Sequence, residues 1–466
     1  MMNGFRLVLF SMFICGQIHA QDKVLRLEEL LDITRTYHPV AKQAKLAIEM
    51  ADAQVQSARG LFDPAFYIKN EQKTFDGKNY YSYANPELKI PTWYGVDIKA
   101  GFENNLGERL EPITTFGKSS YLGVSVPLLK GALLDKRRST VLQAKLLAKM
   151  SVQDQLLTYN NLLYEAAESY WIWVSSYQKL QILSQTLKLS QDRFNLVKSA
   201  FIHGERAGID TTEALSQLQF IEAAQSQAWL DFQKQRLELS NFLWKEDQSP
   251  YELDEQIMPD SSWSKVDINR YPLPILDQML TAAMKDHPKL NVISIKQDAL
   301  ILEKKLKMQS LLPTFDVNYN FLSKGYTSSG MFKQPLFQNN YKYGFQIGMP
   351  LFLREARGEY SKALLKIKDN AYELQQMKWN VSNKVRSYFN EIHALKNQSL
   401  LFEKNLINQR ALLQAEQAKF ELGESSLFLV NSRENKLLET EQKLVELKTK
   451  FFKSLIAVQW AAGSLK

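Results

Sequence analysis

Two stretches decide how this chain is read: "TYHPVAKQAKLAIEMADAQVQSARGLFDP" at Thr36–Pro64 and "DHPKLNVISIKQDALILEKKLKMQSLLP" at Asp286–Pro313. In each, a His-Pro pair is followed 25 residues later by a second proline, so Pro39 and Pro64 map onto Pro288 and Pro313 with one shift. The whole chain has only 14 prolines, which makes the double match with a shared histidine a sign of an internal repeat.

Upstream of each His-Pro lies a short apolar-periodic segment, "LRLEELLDITRTY" in the first copy and "ILDQMLTAAMKD" in the second. Proline disfavours α geometry in the residue before it but suits the first turn of a helix. Pro39 and Pro288 are therefore expected to end one helix and begin another, which runs to Pro64 or Pro313.

Beyond the second proline the period changes from helical to alternating. "FDVNYNF" sets Phe315, Val317, Tyr319 and Phe321 against Asp316, Asn318 and Asn320, and "YKYGFQIGM" sets Tyr341, Tyr343, Phe345, Ile347 and Met349 against Lys342, Gly344, Gln346 and Gly348. Both runs predict strands with one apolar face, close to the length of a tilted membrane-spanning strand. The segment between them, "LSKGYTSSGMFKQPLFQNN", has the composition of an exposed loop. In the first copy the corresponding region is about 26 residues longer, with alternation in "YGVDIKAGF" and at Leu122, Val124 and Val126. A longer hairpin and an extra strand both fit it.

Each strand region closes with a matching proline, Pro127 in "SVPLLKG" and Pro350 in "GMPLFLR". From there one shift of 219 aligns Arg138 with Arg357, Ala144 with Ala363, Phe201 with Phe420, and Gly204-Glu205 with Gly423-Glu424. The intervening stretches of about 60 residues are free of proline and, apart from Gly358, of glycine. As helices they would be roughly 90 Å long. The glycines at 204 and 423 break them, and a returning helix follows each.

The expected organisation is a signal segment over 1–20, a first repeat over 21–246, a proline-bearing linker over 247–272 and a second repeat over 273–466. Within the first repeat the strand region covers 65–127, the long helix 135–201, the tip 202–210 and the returning helix 211–246. Within the second, strands cover 314–322 and 341–350, the long helix 356–421, the tip 422–429 and the returning helix 430–463. The signal reading rests on Arg6, the apolar run Leu7–Cys15 and Ala20 before Gln21. The only cysteine, Cys15, lies inside it, so cleavage there leaves no thiol chemistry; acylation of Cys15 is the competing reading.

The net charge of +8 is spread over segments also rich in Glu and Gln, without a basic block of the kind that binds nucleic acid. After the signal, no apolar run reaches the length of a spanning helix.

A signal, two copies of one unit and strand pairs of membrane length within a mostly helical chain resemble the TolC-like outer-membrane efflux protein family over nearly the whole length. The motifs carrying the resemblance are His38-Pro39 and His287-Pro288, Pro64 and Pro313 before the strands, Val126-Pro127-Leu128 and Met349-Pro350-Leu351 after them, and the glycine tips at 204 and 423. The resemblance implies a mostly α chain with a membrane β-barrel: a homotrimer in which each chain gives four strands to a shared twelve-stranded barrel in outer-membrane lipid, above a long helical barrel in the periplasm of a Gram-negative cell. It implies an exit duct for a tripartite efflux or type I secretion system, meeting a periplasmic adaptor (a membrane fusion protein) and an inner-membrane pump. Open strand edges in lipid and long helices with apolar stripes independently demand neighbouring copies.

The family commonly places Asp six residues after the tip glycine. "GERAGID" supplies Gly204, Glu205 and Asp210; "GESSLFL" supplies Gly423 and Glu424 but puts Leu429 at the acid position, with Ser432 where a further acid is often found. An apolar constriction by Phe428 and Leu429 competes with a carboxylate ring. Asp210 itself can be a gate residue, an adaptor contact or the N-cap of the returning helix.

His38 and His287 stand alone and are read as helix-boundary residues rather than metal ligands, and His203 as solvated or in adaptor contact. Trp93, Tyr94, Tyr80, Tyr81 and Tyr83 form either an interfacial girdle or loop aromatics, while Trp171, Trp173, Trp244, Trp379 and Trp460 read as helix packing residues. No nucleophile elbow, HExxH or phosphate loop is present, so the chain reads as a non-enzyme without cofactor or metal. The competing function is a periplasmic coiled-coil adaptor or scaffold that never enters lipid.

Overall fold

The computed structural model describes residues 24–111, 114–326 and 336–465. The signal segment, Cys15 and the Ala20 cleavage point lie outside them, as do 327–335 of the loop read between the last two strands. In chain order the elements are β1 (Val24–Leu25), α1 (Leu27–Tyr37), α2 (Pro39–Arg59), β2 (Ala65–Phe75), β3 (Lys78–Pro91), β4 (Asp97–Leu106), β5 (Gly117–Pro127), α3 (Lys136–Ile202) and α4 (Gly208–Ser240). The second half adds β6 (Met258–Pro259), α5 (Leu276–Asp286), α6 (Pro288–Gln309), β7 (Thr314–Lys324), β8 (Tyr341–Gly348), α7 (Arg354–Glu421) and α8 (Leu427–Ala461). The chain divides into two compact units, one of Arg35–Glu165, Pro272–Ala394 and Lys453–Lys466, the other of Ala166–Tyr271 and Leu395–Phe452 with the N-terminal residues to Thr34.

In the first of these units both His-Pro pairs are helix junctions. Pro39 and Pro288 sit in the first turn of α2 and α6, and the preceding histidines are extended, at φ −62° and −64°. Their rings are doing local work. Nδ1 of His38 accepts the N–H of Val40 at 3.2 Å, and Nδ1 of His287 accepts that of Lys289 at 3.1 Å. The repeated histidine is thus a repeated N-cap that satisfies an otherwise orphan helix donor.

The same unit holds an antiparallel sheet of six strands in the order β2-β3-β4-β5-β7-β8. Pro64 and Pro313 immediately precede β2 and β7, Pro127 ends β5, and Pro350 follows β8 by two residues. The exit of the first half is tied to the entry of the second: the N–H of Leu128 donates to the carbonyl of Phe315 at 2.8 Å, and that of Lys130 to Pro313 at 3.2 Å. Register carries one row across the whole sheet, Phe66 opposite Leu88, then Ala100, Leu122, Phe321 and Tyr341. Every member is apolar.

Among the described residues this sheet has six strands where the resemblance implies four from each chain. The added residues of the first half fold as two strands of 14 and 10 residues with their own alternation, joined by a turn in which Gly95 takes φ +83°. The extra length is a second hairpin. The aromatic residues read as either a girdle or loop aromatics separate along it: Tyr80, Tyr81 and Tyr83 lie toward one end of β3, and Trp93 and Tyr94 in the turn beyond its other end. Trp93 packs on Phe62 at 5.2 Å, while Tyr83 is buried and stacked on Tyr81 at 4.8 Å.

The other unit has an aromatic core. Trp171 stacks on Phe452 at 5.1 Å and meets Trp263 edge-on at 5.8 Å; Trp173 stacks on Phe232 and is fully buried. Trp263 belongs to the segment read as a linker, which is packed rather than loose. Leu253, Ile257 and Ile268 are buried, β6 pairs in parallel with β1, and buried Arg236 donates to the carbonyl of Leu253 at 2.8 Å. Two of the tryptophans read as helix packing residues are placed differently: Trp379 is 67% exposed on α7, and Trp244 follows α4 in a bridge with Pro250.

Candidate functional site at the helical tips

Both tips are built by the same backbone device. Gly204 and Gly423 take φ +77° and +79°, where a side chain would be strained. The glycine N–H donates to the carbonyl three back, Phe201 or Phe420, at 2.9 and 3.1 Å, and the next N–H, of Glu205 or Glu424, reaches five back to Ala200 or Lys419 at 2.8 and 2.9 Å. This is the Schellman closure of a helix C-terminus. A Cβ at either glycine would meet open space among the described residues, so dihedral angle alone selects glycine.

The returning helices then start differently. α4 opens after Ala207 without a side-chain cap, and Asp210 is its third residue, so it is not the N-cap that one reading made it. It is a first-turn acid, favourably placed at the positive end of the helix. Ser426 precedes α8 and accepts the N–H of Leu429 through both its carbonyl, at 3.1 Å, and its hydroxyl, at 3.4 Å. The apolar pair at the acid position faces outward: Phe428 is 65% and Leu429 45% exposed. Glu205, Glu424 and Ser432 are also exposed, as is His203.

Behind this surface lies a buried polar seam. Arg193 of α3 makes a two-pronged bridge to Glu434 of α8, at 2.7 and 2.6 Å, and also donates to Asn431 at 3.2 Å. Glu434 is only 5% exposed. Asn431 donates in turn to Glu213 at 3.2 Å, and Gln217 and Asn435 exchange hydrogen bonds at 2.8 and 3.4 Å. Both contacts join residues 218 positions apart, so equivalent stretches of α4 and α8 lie side by side and run the same way.

Val197, Ala214 and Leu427 form an apolar plug beside the seam, with Phe194 and Phe420 against it. Arg206 locks the first tip onto the second: it donates to the carbonyl of Phe420 at 3.0 Å and stacks 4.1 Å above its ring. Among the described residues no group of three His, Cys, Asp or Glu side chains comes together as a metal site would need. The tips therefore offer exposed acidic and apolar side chains on a rigid frame, closed from behind by an ion pair. The exposed tip residues are legible in the sequence, whereas Arg193 and Glu434 carry no motif and stand 241 positions apart.

Residues 280–464 match the family model described as outer membrane efflux protein. Among solved structures the chain is similar to the CusC transmembrane channel, with a TM-score of 0.67 at 15% identity over 94% of this chain and 91% of that one. It is equally similar to the CmeC outer membrane channel of Campylobacter jejuni, at 0.67 and 14% identity over 94% and 86% of the two chains. The open state of the MtrE outer membrane channel of Neisseria gonorrhoeae follows, at 0.66 and 14% over 95% and 90%. No curated protein matches the sequence.

Proposed function

We propose that this chain, whose residues 280–464 match the outer membrane efflux protein model and which has the fold of TolC-like channels, is the outer-membrane exit duct of a tripartite efflux or type I secretion system, gated at its helical tips. The observation that carries this reading is the two-faced sheet. Phe66, Ile68, Tyr343, Phe345 and Ile347 are exposed on one face, while Lys69, Glu71, Lys99 and Lys342 share the other. A periplasmic scaffold would expose that apolar face to water; in lipid it is the expected outer surface of a barrel.

Within one chain β2 and β8 each have a single partner strand. Unpaired edges are not tolerated in lipid, so β8 of one copy needs β2 of the next. A second unpartnered surface supports the same assembly: Leu365, Tyr372 and Trp379, seven residues apart on α7, are all exposed. The homotrimer of the family satisfies both demands. Its energy comes from an inner-membrane pump, and its adaptor docks on the tips through Glu205, Asp210 and Glu424. Phe428 and Leu429 supply an apolar gate, with Ser432 at its edge.

Cell fractionation with cross-linking tests the reading. The expected result is an outer-membrane protein extracted by detergent as trimers, which captures an adaptor through cysteines placed at Glu205 or Glu424. A soluble periplasmic monomer would sink it.

A further inference from the structure

The first half of the chain carries a hairpin with no counterpart among the described residues of the second half, β3 with β4, between the strand that leaves α2 and the strand that enters α3. Register decides where that hairpin belongs. Leu88 and Ile90 of β3 lie opposite Ala100 and Ile98 of β4, which lie opposite Leu122 and Val124 of β5. The same rows continue into Phe321, Tyr319, Tyr341 and Tyr343. Residues directly opposite on a ladder point to the same side of the sheet, so the hairpin presents its apolar residues to the side that Phe345 and Ile347 expose.

Its other face is bonded into the polar side. Tyr121 donates to Glu87 and Ser119 to Glu103; Lys89 pairs with Asp97 at 3.1 Å, and Asn85 meets Asn105 at 3.2 Å. Both edges of the hairpin are laddered, to β2 and to β5. A hairpin folded away from the wall needs neither continuous rows nor two laddered edges.

We propose that this hairpin is part of the membrane wall, so that three copies close a barrel of eighteen strands. Barrel diameter grows roughly linearly with strand number, and barrels of about 16 to 18 strands enclose an open aqueous channel. The outer mouth is then about half as wide again as one of twelve strands, and suits hydrated polymers such as polypeptide or glycan chains better than small molecules alone. The inward face mixes Lys69, Lys99 and Lys342 with Glu71, Glu87 and Glu103, so passage is limited by size more than by the sign of charge. The inference rests on the trimeric duct reading.

The test is to image the full-length protein extracted from membranes and count copies and strands. Eighteen strands around a threefold axis are expected. A threefold barrel of twelve strands with β3 and β4 outside the wall overturns the inference and leaves the duct intact, whereas a twofold ring overturns both. In native membranes, Ile98→Cys, Lys99→Cys and Leu122→Cys, each in a Cys15→Ser background, give an independent answer. The wall placement predicts that a nitroxide lipid quenches a fluorophore at positions 98 and 122 alike, while a membrane-impermeant maleimide reaches position 99. Quenching at 122 but not 98 overturns the inference; quenching at neither overturns the duct.

Discussion

The guanidinium of Arg193 holds the carboxylate of Glu434 with two parallel hydrogen bonds, at 2.7 and 2.6 Å, in a setting where Glu434 is almost out of contact with solvent. Such a pair adds geometry as well as energy, because the planar fork fits the carboxylate in one orientation. It fixes the level at which α3 and α8 pass each other just behind the tips.

Breaking that bridge on one side leaves a buried charge without its partner, at a cost of about 3–5 kcal/mol. Arg193→Leu is therefore expected to lower the melting temperature and to make the duct leak, read as larger single-channel conductance. The double replacement Arg193→Leu with Glu434→Leu should recover most of the melting temperature while the tips stay loose. A single variant that melts like the parent would show that the bridge contributes nothing.

Alanine at Gly204 or Gly423 should cost about 1–2 kcal/mol each, since φ near +78° is accessible to glycine and strained for alanine. The loss is local. Hydrogen exchange should quicken at the last turn of α3 or α7 and leave the sheet unaffected, and asparagine should be tolerated better than alanine.

Burial, with the nearby charge of Lys384, pushes His287 from 6.5 down to about 4. The folded chain thus prefers the neutral ring, whose Nδ1 caps α6. A depressed value of this kind gives stability that is fully present above pH 6.5 and is lost as pH falls toward 4. Melting curves between pH 7.5 and 4.5 should show the decline, and His287→Asn, which keeps a capping side chain that does not titrate, should flatten it. An equal decline in the asparagine variant would move the effect to other groups.

The proposed apolar gate at Phe428 and Leu429 predicts that divalent cations do not block the parent channel from the tip side. Leu429→Asp should create that block and raise cation selectivity. Strong divalent block in the parent would point instead to carboxylates such as Asp210 at the constriction.

Much of this fold is legible from punctuation. The paired prolines and tip glycines mark junctions because each residue type restricts the backbone locally, and the alternation in β7 and β8 is clean because one face is apolar throughout. β3 is less legible, since Pro86 interrupts a run otherwise shaped like a strand, and proline argues against a strand interior. The structure accommodates it opposite Ile68. Beyond local pattern, partners cannot be inferred: nothing near Arg193 announces Glu434, and nothing near Trp379 distinguishes an exposed helix face from a packed one.

The bridge of Arg193 and Glu434 has no twin. Under the shift that superposes the tip glycines, its positions fall on Leu412 and Leu215, neither of which carries charge. A duplicated chain thus joins its two halves through a charged clasp whose duplicate positions hold two exposed leucines. The doubling in the sequence therefore does not make the two tips equals: the turn that ends α3 is anchored by a charged bridge for which the turn that ends α7 has no counterpart at the matching positions.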